Sequence, residues 1–162
     1  MSLENSKRNI AILGSTGSIG TQALEVIELF PELLQVSVLT ANNRADLLIE
    51  QARKFQPNAV VIANEGHYTK VRDALEDLPI KVWAGTSALE DCVTIEEIDV
   101  VLTALVGFSG LRPTIKAIEA GNVVASANRH RVGPGKRRSH PAGRQRALSF
   151  VSMSGRGTHE PH

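Results

Sequence analysis

Asn9-Ile10-Ala11-Ile12-Leu13-Gly14-Ser15-Thr16-Gly17-Ser18-Ile19-Gly20 decides how the rest of the chain is read. Residues 9–13 are a short apolar run halted by a glycine, as in a strand buried on both faces of a parallel sheet. Apolar residues then fall at 19, 23, 24, 26, 27 and 30, which is helical spacing, and Pro31 ends that run. The three glycines thus lie between a strand and a helix. There they serve a tight turn, a close approach of backbone to phosphate, and close helix–strand packing. The N–H groups that open the helix offer an anion site suited to a pyrophosphate.

The spacing is G-x-x-G-x-x-G rather than the commoner G-x-G-x-x-G. By itself the loop is also compatible with a glycine-rich turn that holds no ligand. A P-loop is disfavoured, because Gly20 is followed by Thr21-Gln22 and not by Lys-Ser/Thr.

Downstream, the pattern of strand then helix repeats. Strands are predicted at 36–39, 58–63, 80–83, 99–105 and 122–127. Helices are predicted around Leu47–Phe55, over 65–76, over 86–91, and from Pro113 to a cap at Gly121. Alternation at this interval implies right-handed crossovers and an α/β fold: a doubly wound parallel sheet of Rossmann type. A chain of 162 residues suits one domain and buries roughly two thirds of its unfolded surface.

The second strand bears on the cofactor. NAD-preferring sites place a carboxylate at its end to accept from the ribose 2′-OH. Here the end is Thr40-Ala41-Asn42-Asn43-Arg44. Amides, with Arg44 beside them, suit a 2′-phosphate, so NADP(H) is favoured over NAD(H). The competing reading makes Asn42 and Asn43 turn and capping residues only.

Other residues carry less. His67, at a helix start, reads as a surface residue. Cys92 has no partnering motif and reads as a small packed residue rather than a nucleophile. Trp83 reads as core. Gly107 to Gly110 follows a strand and could line the nicotinamide side of a cleft or simply turn the chain. One cysteine excludes an internal disulfide and fits a reducing, cytoplasmic setting. No apolar run reaches the ~18 residues of a membrane span, and Met1 to Ser6 has no signal-segment pattern.

The net charge of +1 joins two unlike parts. Residues 1–128 hold 10 basic and 16 acidic residues; residues 129–162 hold 8 basic and 1 acidic. Periodicity stops at the same place. Two units follow: an acidic nucleotide-binding domain over 1–128 and a basic tail over 129–162, expected to be disordered. The tail permits non-specific contacts to a polyanion such as nucleic acid. Only Phe150 in it is aromatic, and no recognition motif is present, so that reading is the weaker.

Several separated segments resemble 1-deoxy-D-xylulose 5-phosphate reductoisomerases. They are Asn9 to Gly20, Ala104-Leu105-Val106-Gly107-Phe108-Ser109-Gly110-Leu111-Arg112-Pro113-Thr114, Ala120-Gly121-Asn122 and Ala127-Asn128. The resemblance spans about 9–128. It implies an NADPH-dependent oxidoreductase of isoprenoid precursor biosynthesis. Such an enzyme rearranges and reduces 1-deoxy-D-xylulose 5-phosphate to 2-C-methyl-D-erythritol 4-phosphate, with Mg2+ or Mn2+ on the substrate oxygens, as a homodimer. By the same resemblance, Thr16, Gly17, Ser18 and Ile19 hold the pyrophosphate. Ala41, Asn42 and Asn43 surround the adenosine ribose and its 2′-phosphate, and Asn128 touches the nicotinamide half.

The family pattern then breaks. After Ala-Asn it continues Lys-Glu/Asp-Ser/Thr-Leu-Val, whereas Asn128 is followed by Arg129-His130-Arg131-Val132-Gly133. The family's metal carboxylates lie beyond this point, and the tail has only Glu160. No catalytic or metal-ligating residue is therefore assigned, and the chain alone is expected to bind NADPH without turnover. The tail reads as translation in a shifted frame. Two rival readings stay open: the cofactor half of another NADP-dependent oxidoreductase, and a non-catalytic fragment with a polyanion-binding tail.

Overall fold

The computed structural model describes residues 7–105 and 110–126. Asn128, the loop residues 106–109 and the tail 129–162 lie outside the described residues. Six strands form one wholly parallel sheet: β1 (Arg8–Leu13), β2 (Leu34–Ala41), β3 (Ala59–Ile62), β4 (Lys81–Ala84), β5 (Val100–Thr103) and β6 (Val123–Ser126), in the order β4-β3-β2-β1-β5-β6. Five helices connect them: α1 (Ser18–Leu29), α2 (Ala45–Phe55), α3 (Tyr68–Ala74), α4 (Thr86–Cys92) and α5 (Leu111–Glu119). A 3-10 turn at Glu65–His67 leads into α3. Every predicted strand and helix is present, with ends moved by a few residues.

Strand alternation splits the core into two layers. On β1, Ile10 and Ile12 face a layer that includes Leu24, Ile27, Leu48, Ala52, Val71 and Leu75, so α1, α2 and α3 cover this side. Ala11 and Leu13 face the other layer, with Leu89, Cys92 and Ala117 of α4 and α5. Val60 and Ile62 of β3 join the first layer, and Ala59 and Val61 the second. Burial on both faces is why these strands read as unbroken apolar runs.

The β1–β2 register shifts between Ile10 and Ala11, which pair with Val36 and Val38. Ser37 is the extra residue of this bulge. Val36 and Leu39 consequently face the same layer although they lie an odd number of positions, three, apart. Ser37 is buried, and its carbonyl accepts from the Asn58 N–H at 2.9 Å, so the irregularity is tied to the start of β3.

Local chemistry sets the helix ends. Pro57 disfavours helical backbone at Gln56, which takes φ 49° and closes α2 with an N–H bond to the Ala52 carbonyl. At α5, Gly121 (φ 82°) donates to Ile118 and Asn122 to Ala117, the paired bonds of a Schellman cap. Trp83 stands on β4 at the sheet edge. It packs against the second layer but stays half-buried, because among the described residues no strand flanks it on the far side.

β1 is flanked by β2 on one side and β5 on the other, so the chain builds the sheet outward from β1 first in one direction, through β2, β3 and β4, and then in the other, through β5 and β6. This is the topological switch point, and the crevice beyond the carboxyl ends of β1 and β5 is where open α/β sheets bind ligands. The glycine loop leaves β1 at that end.

Candidate functional site: a glycine turn at the switch point

Gly14 leaves β1 with φ +83°. Its N–H donates to Thr40 Oγ1 at 3.0 Å, and the next N–H, of Ser15, donates to the Thr40 carbonyl at 2.8 Å. The loop is thus fastened to the end of β2, a strand away from its own. Gly17 caps α1 with extended backbone, and its carbonyl accepts from both the N–H (2.9 Å) and the Oγ1 (2.8 Å) of Thr21.

The three glycines play different parts. A Cβ on Gly20 would overlap the Gly14 carbonyl oxygen and come within 2.6 Å of the Ser15 Cα, so α1 could not sit this close to β1. A Cβ on Gly14 would lie 3.1 Å from Leu105 Cδ2, on a backbone that L residues rarely adopt. At Gly17 the nearest atom would be 3.6 Å away, with φ −77°. Nothing in the fold therefore demands glycine at 17, and what its bareness provides is access to backbone.

Beneath the loop lies a buried polar clamp. Ser15 Oγ donates to Gln51 Oε1 at 2.8 Å, with the Thr40 carbonyl 3.2 Å away, and Gln51 Nε2 donates to the Ser15 carbonyl at 2.9 Å. Ser15 is fully buried and Gln51 is 7% exposed. The reciprocal pair satisfies both ends of the glutamine amide. Sequence reading missed Gln51, which sits 36 residues from Ser15, among Leu48 and Ala52 on the inner face of α2.

The loop opens on two adjoining clefts. One, of about 780 Å3, is lined by Thr16, Gly17, Ser18, Asn42, Asn43 and Arg44. The other, of about 520 Å3, shares Thr16, Gly17 and Asn42 and runs along Thr40, Leu105 and Pro113 to the start of α5. Across it, Arg112 Nη1 stands 3.8 Å from Glu90 Oε1. Arg44 Nη1 reaches the Thr16 carbonyl at 3.3 Å, which brings this guanidinium to the loop. Asn64 Nδ2 donates to Asn43 Oδ1 at 2.9 Å, and the Asn64 N–H to the Asn42 carbonyl at 3.0 Å, holding the turn after β2.

Of the predicted binding residues within the described segments, Thr16, Gly17, Ser18, Ala41, Asn42 and Asn43 line these clefts, and Ile19 lines neither. Thr16 is buried in the turn, while Gly17, Ser18 and Ile19 are exposed at the first turn of α1. Ala41 ends β2 and is buried, and Asn42 and Asn43 are exposed beside it. Asn128 lies outside the described residues.

Donors dominate the rim. Ser18 and Ile19, in the first turn of α1, have no preceding helical carbonyl to bind. No hydrogen bond among the described residues uses the Thr16 N–H. Asp46, the nearest acid in sequence to the Asn42–Arg44 turn, pairs with Lys70 at 2.7 Å. Unpaired N–H groups, a helix start and a nearby guanidinium suit a phosphorylated ligand, and this donor set fits a dinucleotide.

Cys92 lies in the second core layer. Burial, with Asp91 adjacent, pushes its thiol up to about 12, so it is protonated at neutral pH and no nucleophile. His67 is half-buried in the 3-10 turn before α3. Among the described residues no group of three or more His, Cys, Asp or Glu is placed to hold a metal. No helix among them is long and apolar enough to cross a membrane.

Comparison with known proteins adds a family. The profile of the 1-deoxy-D-xylulose 5-phosphate reductoisomerases matches residues 10–132. The reductoisomerase of Phocaeicola vulgatus is 63% identical over 123 residues, which are 76% of this chain and 32% of that protein. The Zymomonas mobilis reductoisomerase, solved with NADPH, superposes with a TM-score of 0.73 at 34% identity, over 76% of this chain and 32% of that one. A further reductoisomerase structure, with NADPH, fosmidomycin and magnesium, gives 0.72 at 32% identity, over 75% of this chain and 30% of that one. The chain spans about a third of the length of these relatives.

Proposed function

This chain belongs to the 1-deoxy-D-xylulose 5-phosphate reductoisomerase family, and from that premise we propose that it is the NADPH-binding portion of such an enzyme. The observation that carries the proposal is the donor array at the switch point. The N–H groups of Thr16, Ser18 and Ile19 lie on a turn whose closing glycine, Gly20, admits no side chain. These residues, with Gly17, would hold the pyrophosphate.

Ala41, Asn42, Asn43 and Arg44 would surround the adenosine ribose and its 2′-phosphate. The two exposed amides and the guanidinium give that end of the groove donors where an NAD site has a carboxylate. Asn128 would reach the nicotinamide half. NADPH supplies the hydride when bound. The part of this chain is to hold it at the carboxyl end of the sheet with the pyrophosphate fixed.

The substrate, 1-deoxy-D-xylulose 5-phosphate, the divalent metal and the homodimer are assigned to full-length family members. We assign turnover to them as well: hydride transfer needs a substrate held in register with the cofactor, and this chain matches about a third of their length. The chain by itself is expected to bind NADPH and leave the substrate unreduced.

The boundary after Asn128 is also a proposal. The family match ends at residue 132, close to where the charge and periodicity change. A shifted reading frame would account for residues 129–162. Reading the coding DNA in all three frames tests this: restoration of Lys-Glu/Asp after Asn128 in another frame supports it, and no such continuation overturns it.

Titration of the purified chain with NADPH, followed by cofactor fluorescence, tests the functional reading. Saturable binding, tighter for NADPH than for NADH, is expected.

A further inference from the structure

We propose that Gln51 is a positioning residue for the pyrophosphate site, an assignment that rests on the NADPH-binding reading above. Gln51 touches no ligand surface. Its Nε2 donates to the Ser15 carbonyl at 2.9 Å, and its Oε1 accepts from Ser15 Oγ at 2.8 Å. A trans peptide points its C=O and its N–H in opposite directions. Fixing the Ser15 carbonyl inward, onto a buried amide, turns the N–H of the same peptide, that of Thr16, outward. That N–H belongs to a residue lining both clefts, and no bond among the described residues uses it.

The clamp therefore sets the direction of one phosphate donor from α2. The second bond fixes the amide's own orientation. With Oε1 held by the Ser15 hydroxyl, Nε2 has only the carbonyl to serve. The Thr40 carbonyl, 3.2 Å from Ser15 Oγ, closes the arrangement from β2. Preorganised donors of this kind raise affinity because the ligand does not have to turn the peptide itself.

A merely structural glutamine would affect every ligand alike. A positioning glutamine affects only ligands that carry the pyrophosphate. The test compares NADPH with adenosine 2′-monophosphate, which would engage the Asn42–Arg44 end and lacks the pyrophosphate, on the full chain and two variants. Gln51→Met removes both bonds at similar volume. It is expected to weaken NADPH at least about tenfold and adenosine 2′-monophosphate less than about twofold. Gln51→Glu keeps the acceptor for Ser15 Oγ. When protonated it donates to the Ser15 carbonyl, and when ionised it opposes that oxygen. Its NADPH affinity, relative to the unaltered chain at each pH, is expected to match at the acid end and fall as pH rises. The glutamate variant decides the matter if the methionine variant does not fold.

Equal losses for both ligands, no loss for either, or a glutamate profile flat with pH overturns the assignment and leaves the NADPH reading in place. An unaltered, folded chain that binds no NADPH overturns the reading and the assignment together.

Discussion

Gly20 on α1 lies against the Gly14 carbonyl so closely that no methyl group fits between them, and the Ser15 Cα is 2.6 Å from where that methyl would sit. The helix can start where it does only because residue 20 has no side chain. The neighbours in the way are backbone atoms, which cannot swing aside as a side chain end could. Gly20→Ala is expected to lower stability by about 3 kcal/mol or more, since overpacking against backbone separates α1 from β1. Urea unfolding followed by circular dichroism measures it.

Gly17 should behave in the opposite way. Its φ of −77° suits any residue, and a Cβ there meets nothing closer than 3.6 Å. Gly17→Ala is expected to change stability by less than about 0.5 kcal/mol. A methyl on the exposed face of the turn stands where a phosphate would approach, so NADPH affinity should drop by about tenfold. The urea midpoint and the NADPH titration, made on the same sample, separate the two effects. Equal damage to both would mean that Gly17 serves the fold.

Arg44 is the one cation whose hydrogen bond reaches the glycine loop among the described residues, through the Thr16 carbonyl at 3.3 Å. Beside Asn42 and Asn43, on the proposed reading, it would contact the extra phosphate that distinguishes NADPH from NADH. Arg44→Gln is expected to weaken NADPH by roughly tenfold, as for the loss of a charge-assisted bond at an exposed site, and to leave NADH within about twofold. The ratio of the two dissociation constants is the quantity to measure. An unchanged ratio would remove Arg44 from the specificity argument.

Strand, glycine loop and first helix were legible because each rests on neighbours in sequence. Leu13 and Gly14 end a strand, Gly17 caps a helix, and Gly20 recurs one turn on. Local patterning also placed every later strand, and in β2 and β3 burial on both faces makes the apolar run continuous. Three features were not legible. Gln51 reads as one more polar residue of α2; its partner Ser15 lies 36 positions away, and only the packing of α2 beneath the loop joins them. The extra residue at Ser37 leaves no trace in the run Val36-Ser37-Val38-Leu39, since it depends on the register with β1. Trp83 looks like core because an apolar strand does not say whether it lies at the centre or the edge of a sheet.

Cys92 gives a pH dependence with a definite sign. Burial pushes its thiol up to about 12, from an ordinary value of 9.0. Below pH 9 the group is protonated in both states and its contribution is intact. Above that, the unfolded chain loses the proton first, so the unfolded state gains and stability falls as pH rises towards 12. Cys92→Ser, which can keep the bond to the Leu89 carbonyl, should show a shallower alkaline decline than the unaltered chain. Iodoacetamide should alkylate Cys92 slowly in the native protein and fast in denaturant. Rapid native alkylation would place the thiol nearer solvent than its burial implies.

The most direct test of the central claim is a paired titration of the purified chain with NADPH and NADH, by cofactor fluorescence, on protein whose cooperative melting shows it to be folded. The account predicts saturation at one NADPH per chain, with NADH binding more weakly by about tenfold or more, since one 2′-phosphate contact separates them. A folded chain that saturates with neither would contradict it, and the glycine turn at the switch point would then be a feature of packing alone.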